Sequence, residues 1–185
     1  MERWKSKNII IASKRLLLVP LEKTDAEEVL RWTNNQEIVK NFQFFTGNVD
    51  MAEELRYIGR IRKSPTDLLL GVLADGEELI GSAGLHEIDF KNHTARLGII
   101  IGKKEQWNQG YAGEAIRALL DWAFSVAGLH KVYLNVFVTN EIGFRLYTKI
   151  GFQEEGTLRR EYKIRGGYVD MLRMAILKEE WKNGN

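Results

Sequence analysis

The sequence predicts an α/β domain with a mixed, mostly antiparallel central sheet of about seven strands and flanking helices. Short apolar runs separated by turn residues fill the middle of the chain, which is typical of hairpin-linked strands. One long stretch with a 3.6-residue apolar period lies between two such runs. This order predicts a right-handed parallel strand–helix–strand crossover, because the helix must return the chain across the sheet.

The composition is that of one globular domain. Of 185 residues, 44% are hydrophobic and 28% are charged, so a single domain with its own core is expected. We assign residues 1–13 to an N-terminal arm and residues 14–180 to the domain. The 27 Lys and Arg residues nearly balance the 25 Asp and Glu residues, and the net charge is +2. A nucleic-acid partner is not expected, because it would require a clear basic excess.

Residue usage excludes several chemistries. The chain has no cysteine, which removes disulfides, thiolate zinc sites and a cysteine nucleophile. The three histidines, His86, His93 and His130, lack a paired metal-binding spacing, so no metal is expected. No apolar run approaches about 18 residues, and the N-terminal run is too short for a signal peptide. We therefore expect a cytoplasmic location without membrane association.

The first third of the chain predicts one strand and two helices. The run over 15–21 ends near a proline, as edge strands do. A capping-box pattern predicts a helix from Thr24 to about Asn34, and a second such pattern predicts a helix from Asp50 to about Arg62.

Three strands, a helix and a fourth strand are predicted next. The strands cover Asp67–Ala74, Leu79–Glu87 and Thr94–Gly102, and their short polar connections predict an antiparallel meander. The long periodic helix follows, from about Ala112 to a glycine stop at Gly128.

The last third of the chain predicts a strand, a short helix and a hairpin. The strand covers Lys131–Val138 and the helix covers Glu141–Ile150. The final hairpin comprises Glu155–Ile164 and Tyr168–Leu177, joined by a glycine turn.

The most informative segment for function is the loop before the long helix, which reads QWNQGYAG from Gln106 to Gly113. The first N–H groups of a helix have no intrahelical acceptor, and the helix dipole adds positive potential there. Gly110 and Gly113 leave room for an anion. The segment suits a phosphate or pyrophosphate, and an ordinary glycine-containing loop is the alternative. Its spacing matches neither the P-loop nor the dinucleotide fingerprint.

Two stretches, WNQGYAGEA at 107–115 and TNEIGFRLYTKIGFQEEGTLR at 139–159, resemble the signatures of the GNAT (Gcn5-related) N-acetyltransferases. The similar branch contains the RimJ/RimL ribosomal-protein enzymes and the SpeG-like polyamine enzymes. The resemblance covers about Arg15 to Leu177 and is much less specific for the substrate than for the superfamily. It implies the GNAT fold, direct transfer of acetyl from acetyl-CoA to a primary amine, and a possible homodimer.

The resemblance also implies a set of acetyl-CoA contacts. Pantetheine would run along Ile99, Ile100 and Ile101, where a backbone N–H would polarise the acetyl carbonyl. Asn140 would hydrogen-bond to the pantetheine arm, and a turn residue at the strand end is its alternative role. The pyrophosphate would bind the N–H groups from Trp107 to Ala112. The full set of further implied cofactor residues is Trp107, Asn108, Gln109, Gly110, Tyr111, Ala112, Gly113, Phe144 and Tyr147.

By the same resemblance, Tyr147 is expected to protonate the departing CoA thiolate. A phenol with a pKa of about 10 still holds its proton at pH 7, and core packing is the alternative role. Many relatives carry a catalytic Glu where this chain has Arg96. We therefore expect the general base on the preceding strand, at Glu87 or His86 acting through water, with a plain surface role as the alternative.

The acceptor site is predicted to include Trp32, Glu37, Phe42, Phe45 and His86. Deprotonating a polyamine ammonium at pH 7 costs about 4.6 kcal/mol, whereas an α-amino group costs about 1 to 1.4 kcal/mol. Because no base is obvious, a protein or peptide N-terminal amine is the preferred acceptor, and a base hidden in the fold would defeat this inference. An amino sugar, a polyamine such as spermidine, and a non-catalytic acyl-CoA-binding module are the alternatives.

Overall fold

The computed structural model describes residues 11–40, 48–75, 77–164 and 166–183, with side chains to Trp181. Within these residues one sheet contains eight strands: β1 Ile11–Ala12, β2 Leu16–Pro20, β3 Leu68–Ala74, β4 Glu78–Asp89, β5 Thr94–Ile101, β6 Lys131–Phe137, β7 Gln153–Ile164 and β8 Gly167–Leu177. The α-helices of the same residues are α1 Ala26–Thr33, α2 Gln36–Val39, α3 Met51–Ile61, α4 Tyr111–Ser125, α5 Glu141–Ile150 and α6 Lys178–Asn183.

The strand order is β1-β2-β3-β4-β5-β6-β8-β7. Every neighbouring pair is antiparallel except β5 and β6, which are parallel and are joined by α4. This confirms the predicted mixed sheet and its central crossover. The prediction of about seven strands was one short, because Ile11 and Ala12 pair with Leu18 and Leu17. These two residues had been assigned to the N-terminal arm, and they belong to the sheet.

The two predicted helix starts had different outcomes. Asp50 accepts a hydrogen bond from the Glu53 N–H at 2.8 Å, and the Glu53 side chain accepts one from the Asp50 N–H, which confirms the second capping box. The first helix does not begin at Thr24. The Asp25 carboxylate instead accepts from the Glu22 N–H at 2.7 Å, and this bond closes a short 3₁₀ turn before α1. The short helices α2 and α6 were not predicted, because helices of four and six residues are too short to show an apolar period.

Helices cover both faces of the sheet. The larger apolar cluster packs α4 and α5 on the face that carries Leu97 and Ile99, here named the α4 face. The smaller cluster packs α1 and α2 on the opposite face, which carries Ile100 and is here named the α1 face. No helix in the described part of the chain combines the length and apolar character needed to cross a bilayer.

Candidate active site

The centre of the site is a gap between β5 and β6. These parallel strands pair only through 94–96 and 131–133. Beyond these residues the strands diverge, although β5 continues to Ile101 and β6 continues to Phe137. The β6-facing edge of β5 is therefore open to an extended ligand from Leu97 onward.

The backbone of β5 determines which residues can use that edge. The Gly102 N–H donates to the Ile80 carbonyl of β4 at 2.8 Å. Because backbone groups alternate sides along an antiparallel ladder, Ile100 directs its N–H and C=O at β4, while Ile99 and Ile101 direct theirs into the gap. Ile99 therefore offers its N–H and C=O to an extended ligand, and Ile101 offers its N–H, because the Ile101 carbonyl accepts from the Trp107 ring. The pantetheine contacts at these two residues stay a prediction, and the backbone of Ile100 is corrected to a partner of β4.

The loop that follows β5 presents a run of free N–H groups. In the described residues, no acceptor pairs with the six consecutive N–H groups from Asn108 to Gly113. Trp107 differs, because its N–H donates to the Lys104 carbonyl at 3.0 Å and its ring N–H donates to the Ile101 carbonyl at 2.9 Å. The backbone of Trp107 is therefore removed from the predicted pyrophosphate donors, and the other five remain available.

The conformation of this loop gathers those donors. Asn108 has φ +62° and Gly110 has φ +83°, both left-handed, and Gly110 is the N-cap of α4. Alternation with left-handed residues turns successive N–H groups toward one concave side, which is an anion-binding arrangement. The helix dipole of α4 adds positive potential at the same place. The geometry therefore suits the pyrophosphate of a coenzyme A thioester.

Glu114, in the first turn of α4, ties the loop to the start of β2. Its Oε1 accepts from Ser13 Oγ at 2.8 Å and from the Arg15 N–H at 2.7 Å, and its Oε2 accepts from Arg15 Nε at 2.8 Å. Arg15 also donates to the Gln109 carbonyl at 3.1 Å. Burial acts to raise the pKa of Glu114, but the hydrogen bonds from Arg15 and Ser13 outweigh it and lower that pKa. Sequence analysis missed Ser13 and Arg15, because they lie far from the motif along the chain.

Tyr147 lies on α5 and packs on the α4-face cluster. Its ring meets the Phe152 ring edge to face, with centroids 6.0 Å apart. Its hydroxyl has no hydrogen-bond partner among the residues that the structure describes, and desolvation raises the pKa of the phenol to about 12. Tyr147 therefore holds its proton at neutral pH, as a general acid must. Phe144 packs on the same cluster, consistent with a place near the cofactor.

Asn140 caps α5. Its Oδ1 accepts a hydrogen bond from the Gly143 N–H at 3.0 Å. This is the turn role that the sequence left open as an alternative. A contact between Asn140 and the pantetheine arm stays a prediction.

Glu87 is already engaged at the closed end of the gap. One carboxylate oxygen accepts from Arg96 Nε at 3.0 Å and the other accepts from the Tyr133 hydroxyl at 2.9 Å. Both carboxylate oxygens of Glu87 are therefore already engaged by donors on the neighbouring strands β5 and β6. The geometry therefore argues against the predicted role of Glu87 as the general base.

His86 lies on the α1 face, above two facing glycines. Gly84 of β4 pairs with Gly98 of β5, and a Cβ atom built on either would lie 3.1 to 3.3 Å from His86 Nε2. His86 Nδ1 lies 3.1 Å from Asp67 Oδ1, and Asp67 Oδ2 accepts from Ser64 Oγ at 2.6 Å. Sequence analysis selected His86 but had no signal for Asp67, which lies 19 residues away, just before β3.

The predicted acceptor wall is only partly supported. Trp32 is 2% exposed and packs in the α1-face cluster, where a Cβ at Gly102 would overlap its ring. Trp32 is therefore a core residue of this face that also borders the cavity beside Glu54, and its acceptor role stays a prediction. Glu37 pairs with Lys104 beside the loop, and that hydrogen bond lowers the pKa of Glu37. Phe42 and Phe45 lie outside the described residues.

Glu54 was not predicted as a site residue, yet it lines a cavity of about 40 Å³ on the α1 face. Its side chain is buried, with the residue 3% exposed, and Oε1 has no hydrogen-bond partner among the described residues. Burial raises the pKa of this carboxyl. Tyr57, Thr33 and Ser82 also line the cavity, whose apolar wall comprises Leu21, Val29, Trp32, Leu69 and Ile100. In sequence, Glu54 is indistinguishable from an ordinary acidic residue in the first turn of a helix.

A split parallel strand pair, followed by a loop of free N–H groups and a half-buried phenol, is the arrangement expected of an acyl-CoA-dependent transferase. The chain belongs to the GNAT acetyltransferases, because the family model described as the acetyltransferase (GNAT) domain matches residues 15–153. No group of three or more metal-ligating side chains in the described residues is arranged to hold a metal ion.

Related proteins align with nearly the whole chain. The spermidine N(1)-acetyltransferase of Vibrio cholerae is 35% identical over 173 residues, which are 92% of this chain and 98% of that protein. A putative ribosomal N-acetyltransferase of Bacillus subtilis, YdaF, is 32% identical over 168 residues, 88% of this chain and 91% of that one.

A solved structure gives the same result. The crystal structure of spermidine N-acetyltransferase from Vibrio cholerae in complex with CoA and spermine matches with a TM-score of 0.86 and 32% identity, over 92% of this chain and 100% of that chain. The predicted family, fold and co-substrate are thus confirmed. The protein is an acetyl-CoA-dependent N-acetyltransferase rather than a non-catalytic acyl-CoA-binding module.

Proposed function

We propose that the protein transfers the acetyl group of acetyl-CoA to a primary amine of a polyamine such as spermidine. Similarity over nearly the full chain to spermidine acetyltransferases, one of them solved with CoA and spermine, supports this acceptor class. The proposal reverses the order of acceptors inferred from the sequence, which ranked a peptide N-terminal amine first and a polyamine among the alternatives.

The observation that carries the proposal in this chain is the buried carboxyl of Glu54. A buried polar atom without a partner costs about 1–3 kcal/mol, and an ammonium group of the substrate would satisfy Oε1 in the occupied site. The cavity of about 40 Å³ accommodates a group near the size of one or two water molecules. A terminal ammonium group matches this volume, and the methylene chain behind it would contact the apolar wall.

The other end of such a substrate would lie at the gap. Ser82 of β4 and Ile100 of β5 are paired in the sheet and both line the Glu54 cavity, so the cavity lies against the strand that borders the gap. A polyamine carries amines at both ends. One end would bind Glu54 while the other reaches the acetyl group.

The residues of the gap have distinct tasks in the transfer. Acetyl-CoA supplies the acetyl thioester. The backbone N–H of Ile99 points into the gap, where it would donate to the acetyl carbonyl oxygen and stabilise the negative charge that develops there. Tyr147 would give its phenolic proton to the departing sulfur, because its raised pKa keeps that proton in place until the thiolate forms.

The test is CoA release measured with spermidine, spermine, an unblocked peptide and glucosamine. Spermidine is expected to show a kcat/KM at least about 10-fold above that of the peptide, since only the polyamine has a second ammonium for Glu54. Glu54→Gln should raise the KM for spermidine about 10-fold or more without changing the KM for acetyl-CoA. Glu27→Gln, an exposed acid on α1, is the matched control. Preference for the peptide, or an equal effect of both variants, would overturn the proposal.

A further inference from the structure

On the α1 face, the imidazole of His86 is largely buried, contacts the Asp67 carboxylate and lies over two facing glycines. We propose that Asp67 and His86 form a proton-accepting dyad, in which His86 Nε2 takes the proton of the acceptor ammonium beside the β5–β6 gap. This inference rests on acetyl transfer to an amine and not on which amine is used.

The first support is the orientation of the ring. Asp67 Oδ1 lies 3.1 Å from His86 Nδ1, and the second oxygen of Asp67 is held by Ser64 Oγ at 2.6 Å. A carboxylate accepts hydrogen bonds, so Nδ1 carries the ring proton. The Nε2 atom then carries the lone pair, which is the tautomer that a general base requires.

The second support is the place of Nε2 in the sheet. The ring lies over Gly84 and Gly98, where any larger residue at Gly98 would place Cβ 3.1 Å from Nε2. Gly98 immediately precedes Ile99, whose backbone faces the gap. Nε2 therefore lies over β5, the strand whose other edge borders the space where the acetyl group would lie. Proton transfer to Nε2 would therefore run through one bridging water, and the His86 side chain is 14% exposed.

The third support is the charge around the ring. Burial lowers the pKa of His86, and Arg96 on β5 acts in the same direction, while Asp67, just before β3, and Glu87 on β4 oppose them. Tyr57, on the packed helix α3, is uncharged at neutral pH because burial raises its pKa. The net result is a neutral imidazole at pH 7, ready to accept a proton.

Asp67 itself remains ionised. Burial acts to raise its pKa, but the hydrogen bonds from Ser64 and His86 outweigh burial, and the pKa of Asp67 is lowered. An ionised Asp67 stabilises the imidazolium that forms after proton uptake.

In this scheme the base and the acid lie on opposite faces of the sheet. His86, on the α1 face, takes one ammonium proton, and the freed nitrogen lone pair forms the C–N bond while the C–S bond breaks. Tyr147, on the α4 face, protonates the sulfur and is reprotonated by the second nitrogen proton. Solvent finally removes the proton from His86. A hidden base of this kind also removes the argument for a low-pKa amine acceptor.

The test is the pH profile of kcat/KM, measured with whichever amine turns over fastest. In the wild type, neutral His86 and the ammonium react, so kcat/KM is expected to be flat between the His86 pKa and the amine pKa. In His86→Gln, only free amine reacts, so kcat/KM should fall about 10²–10⁴-fold at pH 7 and rise tenfold per pH unit up to the amine pKa. Asp67→Asn should reduce kcat/KM in the same direction.

Controls separate catalysis from folding. His130→Gln, at an exposed histidine before β6, should keep the wild-type profile. His86→Ala should be partly rescued by added imidazole, and every variant should bind acetyl-CoA as the wild type does. A flat profile retained in His86→Gln, or lost in Glu87→Gln instead, would overturn the dyad. Failure of the polyamine proposal would appear as a different preferred amine and would leave this comparison intact.

Discussion

Arg15 and Glu114 lie 99 positions apart in the chain and meet at the start of α4, where the Glu114 carboxylate accepts both the backbone N–H and the Nε–H of Arg15. The Arg15 guanidinium also lies 4.5 Å from the centroid of the Tyr111 ring and donates to the Gln109 carbonyl. The start of β2 thereby holds the loop whose free N–H groups are proposed to bind the pyrophosphate. Several properties of the enzyme should depend on this contact.

Glu114→Ala should lower both stability and acetyl-CoA affinity. The substitution leaves the Arg15 N–H without an acceptor, which we expect to reduce the free energy of unfolding by about 1–3 kcal/mol. Thermal unfolding and acetyl-CoA titration would measure the two effects. Glu141→Ala, also in the first turn of a helix, removes a pair with Arg145 that is mostly exposed, and should cost no more than about 0.5 kcal/mol. Equal losses in both variants would contradict the anchoring role.

The contribution of Glu114 should disappear in acid. Its pKa is lowered in the folded protein, so the stabilisation is fully present above the unfolded pKa of about 4.3 and is lost as pH falls through the folded pKa. Urea unfolding of the wild type and of Glu114→Gln between pH 7 and pH 3 would measure this. The stability difference should be constant down to about pH 5 and then shrink, and a difference that grows in acid would refute the assignment.

Gly110→Val should weaken acetyl-CoA binding. Gly110 has φ +83°, which a β-branched residue adopts only with strain, and its Cβ would lie 3.6 Å from Arg15 Nη2. Gly128→Val is the matched control, because Gly128 has φ +72° and open space around it after α4. Both variants should lose stability. We expect acetyl-CoA affinity to fall about 10-fold or more in Gly110→Val alone, and unchanged affinity there would mean that the loop is misassigned.

Tyr147→Phe should slow the chemical step while leaving the binding of acetyl-CoA nearly unchanged. The phenol is the proposed proton donor to sulfur, so kcat should fall about 10- to 10⁴-fold. Single-turnover kinetics and acetyl-CoA titration would separate the two quantities. Tyr168→Phe, at a mostly exposed tyrosine of the last hairpin, should behave as the wild type. Unchanged turnover in Tyr147→Phe would remove the residue from the mechanism.

Glu54→Leu should raise the stability of the protein and weaken its binding of spermidine. The wild-type carboxyl is buried and its Oε1 lacks a partner in the described residues, so an apolar replacement should add about 1–3 kcal/mol at pH 7. Because the pKa of Glu54 is raised by burial, its relative stabilisation is present below the unfolded pKa and is lost as pH rises. The gain measured by thermal unfolding should therefore shrink toward pH 4. No gain at pH 7 would mean that Oε1 is already satisfied.

Local signals predicted most of the elements correctly. Apolar alternation, the long helical period and the glycine turns placed β3 to β8 and α3 to α5 within a few residues, because these patterns depend on neighbours in the chain. The sequence patterns gave wrong or missing elements where neighbouring residues compete for one role or where an element is very short. Asp25 rather than Thr24 closes the first helical turn, and the short segment of β1 carries too little pattern to be recognised without its partner β2.

The sequence by itself determined the family and the co-substrate, and it singled out the loop proposed to bind an anion and the tyrosine of α5, since each depends on residues close together in the chain. The tertiary structure alone decided which backbone groups face the gap, that the Trp107 N–H is already used, and that Asp67 orients His86. Strand register and helix packing bring such groups together across long separations. Their effects on hydrogen bonding and solvation therefore exist only once the sheet has formed.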